Sequence, residues 1–177
     1  MKKTTTRTRL AASAALACLL AGGAGAFAKS GGVPLLRSVA APRPEISVAL
    51  AGTVRRGDRI VALDEARAVR PGEMLTWTIT SANSGEAAAR DYSTIGQIPA
   101  GTEFVRGSAD AAGTVVTYSI DGGERFHREP TIEERQPDGT TKIVPAPVSM
   151  YTQVRYEWAD PLAPNGKLTA SYKVRVR

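Results

Sequence analysis

The chain has 177 residues, 42% of them hydrophobic, and carries 23 Lys and Arg against 17 Asp and Glu for a formal charge of +6. That length suits one ordinary domain with appendages and argues against two full domains. The hydrophobic content excludes wholesale disorder, and no apolar run lasts the roughly 20 residues that a membrane span needs.

The first element in chain order accounts for most of the basicity. Lys2, Lys3, Arg7 and Arg9 precede an apolar stretch from Leu10 to Leu20, which gives way to small residues ending in Ala26-Phe27-Ala28. A positive n-region, a short h-region and an A-x-A site predict a secretory signal peptide over residues 1–28, cleaved after Ala28. Its removal takes four cations and no anions, which leaves 19 Lys and Arg against 17 acids and a charge of +2. A balance so near neutral is not the clustered basic face that nucleic-acid binding requires. Cys18, the only cysteine, falls inside this segment, so the mature chain is expected to have none and to rely on its core rather than on disulfides. Lipidation of Cys18 is the competing reading, but Ala15-Leu16-Ala17 lacks the large aliphatic residue usual three before a lipoprotein cysteine.

Residues 29–44 contain three prolines and two glycines and read as a linker, although Val33, Leu35, Leu36 and Val39 could instead lie along a sheet edge. From Glu45 the hydrophobic period becomes two. Ile46, Val48 and Leu50 share a face, Arg56-Gly57-Asp58 turns the chain, and Ile60 to Leu63 forms a short return. Leu75 to Ala82 alternates Leu75, Trp77 and Ile79 with Thr76, Thr78 and Thr80, and Asn83-Ser84-Gly85 closes it. Extended stretches follow at Tyr92–Ile98, Thr102–Val105, Val115–Ile120, Val154–Trp158 and Leu168–Val176. Turns recur at the spacing of an all-β domain, and no amphipathic helix is apparent after the leader.

The least regular part runs from Glu124 to Ser149. Within it, Gln136-Pro137-Asp138-Gly139 can join Ile132–Arg135 to Lys142–Val144 as a hairpin. Loops carried on a rigid sandwich are where binding residues concentrate, so this excursion is the candidate contact region, alongside exposed sheet edges open to strand addition.

The inventory for catalysis is poor. His127 is the sole histidine, no G-x-S-x-G elbow positions a serine, and one His cannot supply a zinc site. Asp121-Gly122-Gly123 and Asp138-Gly139 read as turn formers rather than calcium ligands, and no phosphate-binding glycine loop is present. Asp64-Glu65 and Glu133-Glu134 are adjacent pairs, which a strand sends to opposite faces. Arg56-Gly57-Asp58 spells an integrin-type tripeptide, but three-residue matches arise by chance and a structural turn is far the better explanation, and Trp77 and Trp158 fall on apolar faces, where core packing outweighs a carbohydrate platform. No catalytic, cofactor or metal residue is therefore assigned, binding residues stay unnamed, and the expectation is a protein that is not an enzyme.

The run Pro71 to Gly85, PGEMLTWTITSANSG, and the following EAAARDYSTIGQIPAGTEFVRGS to Ser108 resemble the conserved-repeat family called domain of unknown function eleven. Its pattern is a P-G-x-x-[VL]-T-[YW]-x-[IV] strand, an N-x-G turn, an L-P-A-G hairpin and a G-S. Ile98 stands for the usual Leu, and Gly96 stands where the family carries an Asp. VVTYSIDGG and the final LAPNGKLTASYKVRV are similar to that family's later strands, so the likeness spans residues 45–177. It implies an immunoglobulin-like antiparallel β-sandwich of bacterial exported and surface proteins, without established catalytic residues. A single copy with no sorting signal after Arg177 implies a free periplasmic or secreted protein. The combined expectation is an all-β, non-catalytic envelope protein with a protein partner. A spacer without a specific ligand is the alternative, and an envelope hydrolase is a third reading.

Overall fold

In the computed structural model, residues 41–177 are described. The expected signal peptide over 1–28, its Cys18 and residues 29–40 of the expected 29–44 linker lie outside the described residues. Ten strands form among the described residues: β1 (Ile46–Arg56), β2 (Arg59–Ala62), β3 (Met74–Asn83), β4 (Ser93–Gln97), β5 (Thr102–Phe104), β6 (Thr114–Ser119), β7 (Thr131–Arg135), β8 (Thr141–Pro145), β9 (Gln153–Trp158) and β10 (Lys167–Val176). The sole helical element among the described residues is a 3₁₀ turn at Val148–Met150.

The strands make an antiparallel β-sandwich. A larger sheet has the order β2-β1-β3-β10-β5, a smaller one β4-β9-β6, and β7-β8 is a separate hairpin. Alternation decides what each sheet buries. In the larger sheet Val54, Leu75, Val174 and Phe104 lie side by side in register and are all nearly inaccessible. Val154 and Tyr156 of β9 meet them from the smaller sheet, as period-two strands with one wet face require. Phe104, Tyr118 and Tyr151 close the core at one end, with ring centroids 5.0–5.8 Å apart.

Two tyrosines tie the sheets together. The Tyr156 hydroxyl donates to the Ser171 carbonyl at 2.7 Å, and the Tyr172 hydroxyl donates to the Gln97 carbonyl. Burial penalises the phenolate of both and pushes the Tyr172 pKa up to about 12. The Tyr172 ring needs the space over β4. A Cβ on Gly96 would stand 2.9 Å from Tyr172 Cζ, and closer still to Cε1, so glycine is required there by approach rather than by backbone angle.

Asn83 fastens the end of β3. It is 1% exposed, and its side-chain oxygen accepts from the Glu45 and Gly85 amides at 3.0 Å each. Its side-chain nitrogen donates to the Ala87 carbonyl at 2.7 Å and the Leu162 carbonyl at 3.1 Å. All four hydrogen-bonding positions of the amide are filled, which is what makes a buried asparagine tolerable.

One strand is covered unevenly. Successive core-facing residues of β1 run Val54, Gly52, Leu50, Val48, Ile46. The last three are 56%, 58% and 36% exposed, although their in-register neighbours Ile79, Ser81 and Asn83 on β3 are buried. The smaller sheet has three strands against five, so the start of β1 overhangs the sandwich.

Candidate functional site

The excursion between β6 and β9 departs from the sandwich at a tight turn that its own side chains hold. Ser119 donates its hydroxyl to Asp121 Oδ1 at 2.7 Å and accepts from the Gly123 amide at 2.8 Å. Asp121 Oδ1 also accepts from the Arg125 amide at 3.0 Å, while its Oδ2 pairs with Arg125 Nε at 3.0 Å. These hydrogen bonds, led by that from Ser119, hold the Asp121 pKa down to about 2. Gly123 has φ +101°, a backbone conformation that residues with a side chain rarely adopt, and lies against the Gln153 amide.

The chain then returns along the free side of β6. His127 and Tyr118 exchange backbone hydrogen bonds of 2.8 and 3.0 Å. This places Phe126 on the outer face of the smaller sheet, where the Arg155 guanidinium carbon sits 4.4 Å from its ring centroid. Arg155 also donates to Thr117 Oγ1 at 3.3 Å and pairs with Glu157 at 2.7 Å. Outward-facing Thr117 and Ser119 are consequently buried, although the strand reads as one-sided.

Beyond Pro130 the hairpin projects. Ile132 lies opposite Val144 and packs toward the core, whereas Glu133 lies opposite Ile143. Ile143, at 70% exposure, is the most exposed of the large hydrophobic residues. Asp138 closes the turn by accepting from the Thr140 amide at 2.9 Å, and its hydrogen bonds to Thr140 lower its pKa. The hairpin stands on a firm base, because the Ala146 amide donates to the Pro130 carbonyl at 2.8 Å and Ala146 itself is 1% exposed.

Ile120, Asp121, Arg125, His127, Pro130 and Thr131 enclose a recess of about 180 Å³ at that base. The structure thus places His127 and an acid at the same recess, but the acid is committed to Arg125 and the Ser119 hydroxyl is given to Asp121, not to the imidazole. This is not the nucleophile–base–acid relay of a hydrolase. Glu133 and Glu134 occupy opposite faces of β7, and Asp64 and Glu65 leave β2 in a turn. No group of three or more His, Cys, Asp or Glu suited to a metal occurs among the described residues.

The remaining sequence candidates separate. Trp77 and Trp158 are on different sheets and pack against the core, each with a buried indole N–H that has no partner among the described residues. In Arg56-Gly57-Asp58 the turn forms as expected, but Arg56 is occupied. Its Nε pairs with Glu73 at 3.0 Å, a hydrogen bond that lowers the Glu73 pKa, and its Nη2 donates to the Ala68 carbonyl. A guanidinium held in this way is a poor ligand for a receptor carboxylate. Sequence reasoning missed the Phe126–Arg155 contact and the four-way use of Asn83. The first has no local pattern, whereas the second is announced only as a turn by the N-x-G spacing.

No helix among the described residues is long and apolar enough to cross a membrane. No family model, curated protein or solved structure matches this chain.

Proposed function

We propose that the protein is an exported, non-catalytic β-sandwich of the bacterial envelope that acts as a protein-interaction module through the excursion between β6 and β9. The observation that carries this reading is the β7–β8 hairpin, a projecting two-stranded arm that displays Ile143 on the face it shares with Glu133 and Arg135, with Glu134 and Lys142 on the other face, above a base joined by the Ala146–Pro130 hydrogen bond. An exposed apolar side chain flanked by charges on a projecting arm is the form of a small contact site. Export is supported by the leader expected over residues 1–28, and the bacterial setting by the resemblance carried by Pro71–Ser108.

The test is in-cell cross-linking of the tagged full chain followed by mass spectrometry, beside a variant in which Ile143 is replaced by Glu. The proposal expects mature protein beginning at Lys29 in the envelope or medium, and one reproducible partner whose yield falls several-fold with Ile143→Glu. Equal capture by both proteins would overturn the assignment to the hairpin. Processed protein with no captured partner would leave a spacer as the better reading.

A further inference from the structure

We infer that the uncovered start of β1 pairs with the same strand of a second copy, giving a reversible antiparallel dimer with Val48 on the two-fold axis. This inference does not depend on export or on the hairpin's partner.

Backbone parity comes first. Glu45 uses both of its backbone groups on the β3 side, donating to Asn83 Oδ1 and accepting from the Ser84 amide. Gly52 accepts from the Leu63 amide on the opposite side. Between them the alternation of an antiparallel strand turns the N–H and C=O groups of Ile46, Val48 and Leu50 away from β3, and β2 pairs with β1 only over Thr53–Arg56. Six backbone groups therefore face outward with no described strand opposite them.

The ends of this free edge are fixed. Pro44 has no N–H to offer, and Leu63 occupies Gly52. Both stops lie four residues from Val48, so the edge is symmetric about that residue. An antiparallel copy placed with Val48 opposite Val48 sets Ile46 opposite Leu50 of the second copy, and the twelve outward groups of the two copies make six hydrogen bonds. A strand that matches its own reverse in this way fits an isologous contact.

The side chains agree. Ile46, Val48 and Leu50 are the three exposed apolar residues on that face, and the pairing joins them into one strip across the axis. Residues 46–54 contain no charge and no proline, and their register with β3 runs without a bulge. None of the usual devices that protect a sheet edge is present within it. The register opposes no like charges. It also carries Arg43 toward the end of β2 in the other copy, where Asp64 has no ion-pair partner among the described residues and borders an apolar recess formed by Leu50, Leu63 and Trp77. Three side chains and one strand cover less than the roughly 800 Å² per partner of a standard stable interface, so the dimer is expected to be weak and concentration-dependent.

The experiment uses the full chain with Cys18→Ser. Sedimentation equilibrium from micromolar to millimolar protein is expected to show monomer passing to dimer, and Val48→Lys is expected to weaken association at least about ten-fold with an unchanged circular dichroism spectrum. Register has its own readout. Paired Val48 Cα atoms would lie about 5.5 Å apart, within disulfide range, so Val48→Cys should cross-link on mild oxidation. Ile46→Cys should not, because its counterpart lies four residues further along, about 13 Å away. A monomer at every concentration, a dimer indifferent to Val48→Lys, or slow exchange of the 46, 48 and 50 amides in a monomer would each overturn the inference, the last by giving the edge to another occupant.

Discussion

Asn83 shows how much one side chain can organise. Its amide joins the start of β1, the turn after β3 and the segment before β10, and none of its four partners is a neighbour on a regular ladder. Asn83→Ala is expected to cost about 3 kcal/mol in urea unfolding, since buried backbone groups lose their partners and water cannot reach them. A cost within experimental error of zero would mean that the amide is dispensable. Gly96 presents the opposite constraint. No side chain fits at this position, because the Tyr172 ring occupies the space. Gly96→Ala should destabilise by about 1–3 kcal/mol through overpacking, and Gly96→Asp by more because a charge is also buried. Chemical denaturation distinguishes them, and equal stability of all three proteins would contradict the packing argument. At Asp121 the sign of the pH effect is fixed by a depressed pKa. Its stabilising contribution is complete above the ordinary carboxylate range and fades as the pH falls through about 2. Asp121→Asn should therefore lower the melting temperature at pH 7 and have a much smaller effect near pH 2, which thermal melts at the two pH values would detect.

Element by element, the longer strands were readable because they carry a period of two, and the shorter ones because turn residues bound them. Leu75, Trp77 and Ile79 against three threonines predict β3 with boundaries close to those observed, and the Pro137-Asp138-Gly139 turn predicts the β7–β8 hairpin. Coverage was not readable. Ile46, Val48 and Leu50 alternate as well as any core strand, yet they lie beyond the reach of the smaller sheet. Periodicity tells which side chains share a face, and the width of the opposing sheet decides whether that face is dry. Thr117 and Ser119 make the converse case, being buried on a nominally wet face because Phe126 and the Asp121 turn fold back across it. Replacing residues 131–145 with a short turn should lower the melting temperature by only a few degrees, since it removes the partly buried Ile132 while the base bond between Ala146 and Pro130 survives. Loss of folding in that protein would show that the hairpin is part of the frame.

On the scale of the whole molecule, the sandwich puts its hydrogen-bonded tyrosines and aromatic cluster between the sheets and leaves two features facing outward, the hairpin and the free edge of β1. The pairing of the last strand with β3 is a long-range contact that no local signal specifies, and it sets which residues of β1 are left uncovered. The candidate site was legible as a region, from its turns and irregularity, but not as geometry. Nothing in the spacing of Asp121, Arg125 and His127 reveals that the first two satisfy each other and leave the imidazole outside the pair. The central claim is that a stable frame carries a separable contact arm. Its most direct measurement is quantitative partner capture by the protein with residues 131–145 replaced, after circular dichroism and a thermal melt have shown the frame intact. A folded protein that has lost its partner is the predicted result, whereas a folded protein that captures the same partner with the same yield would contradict the account.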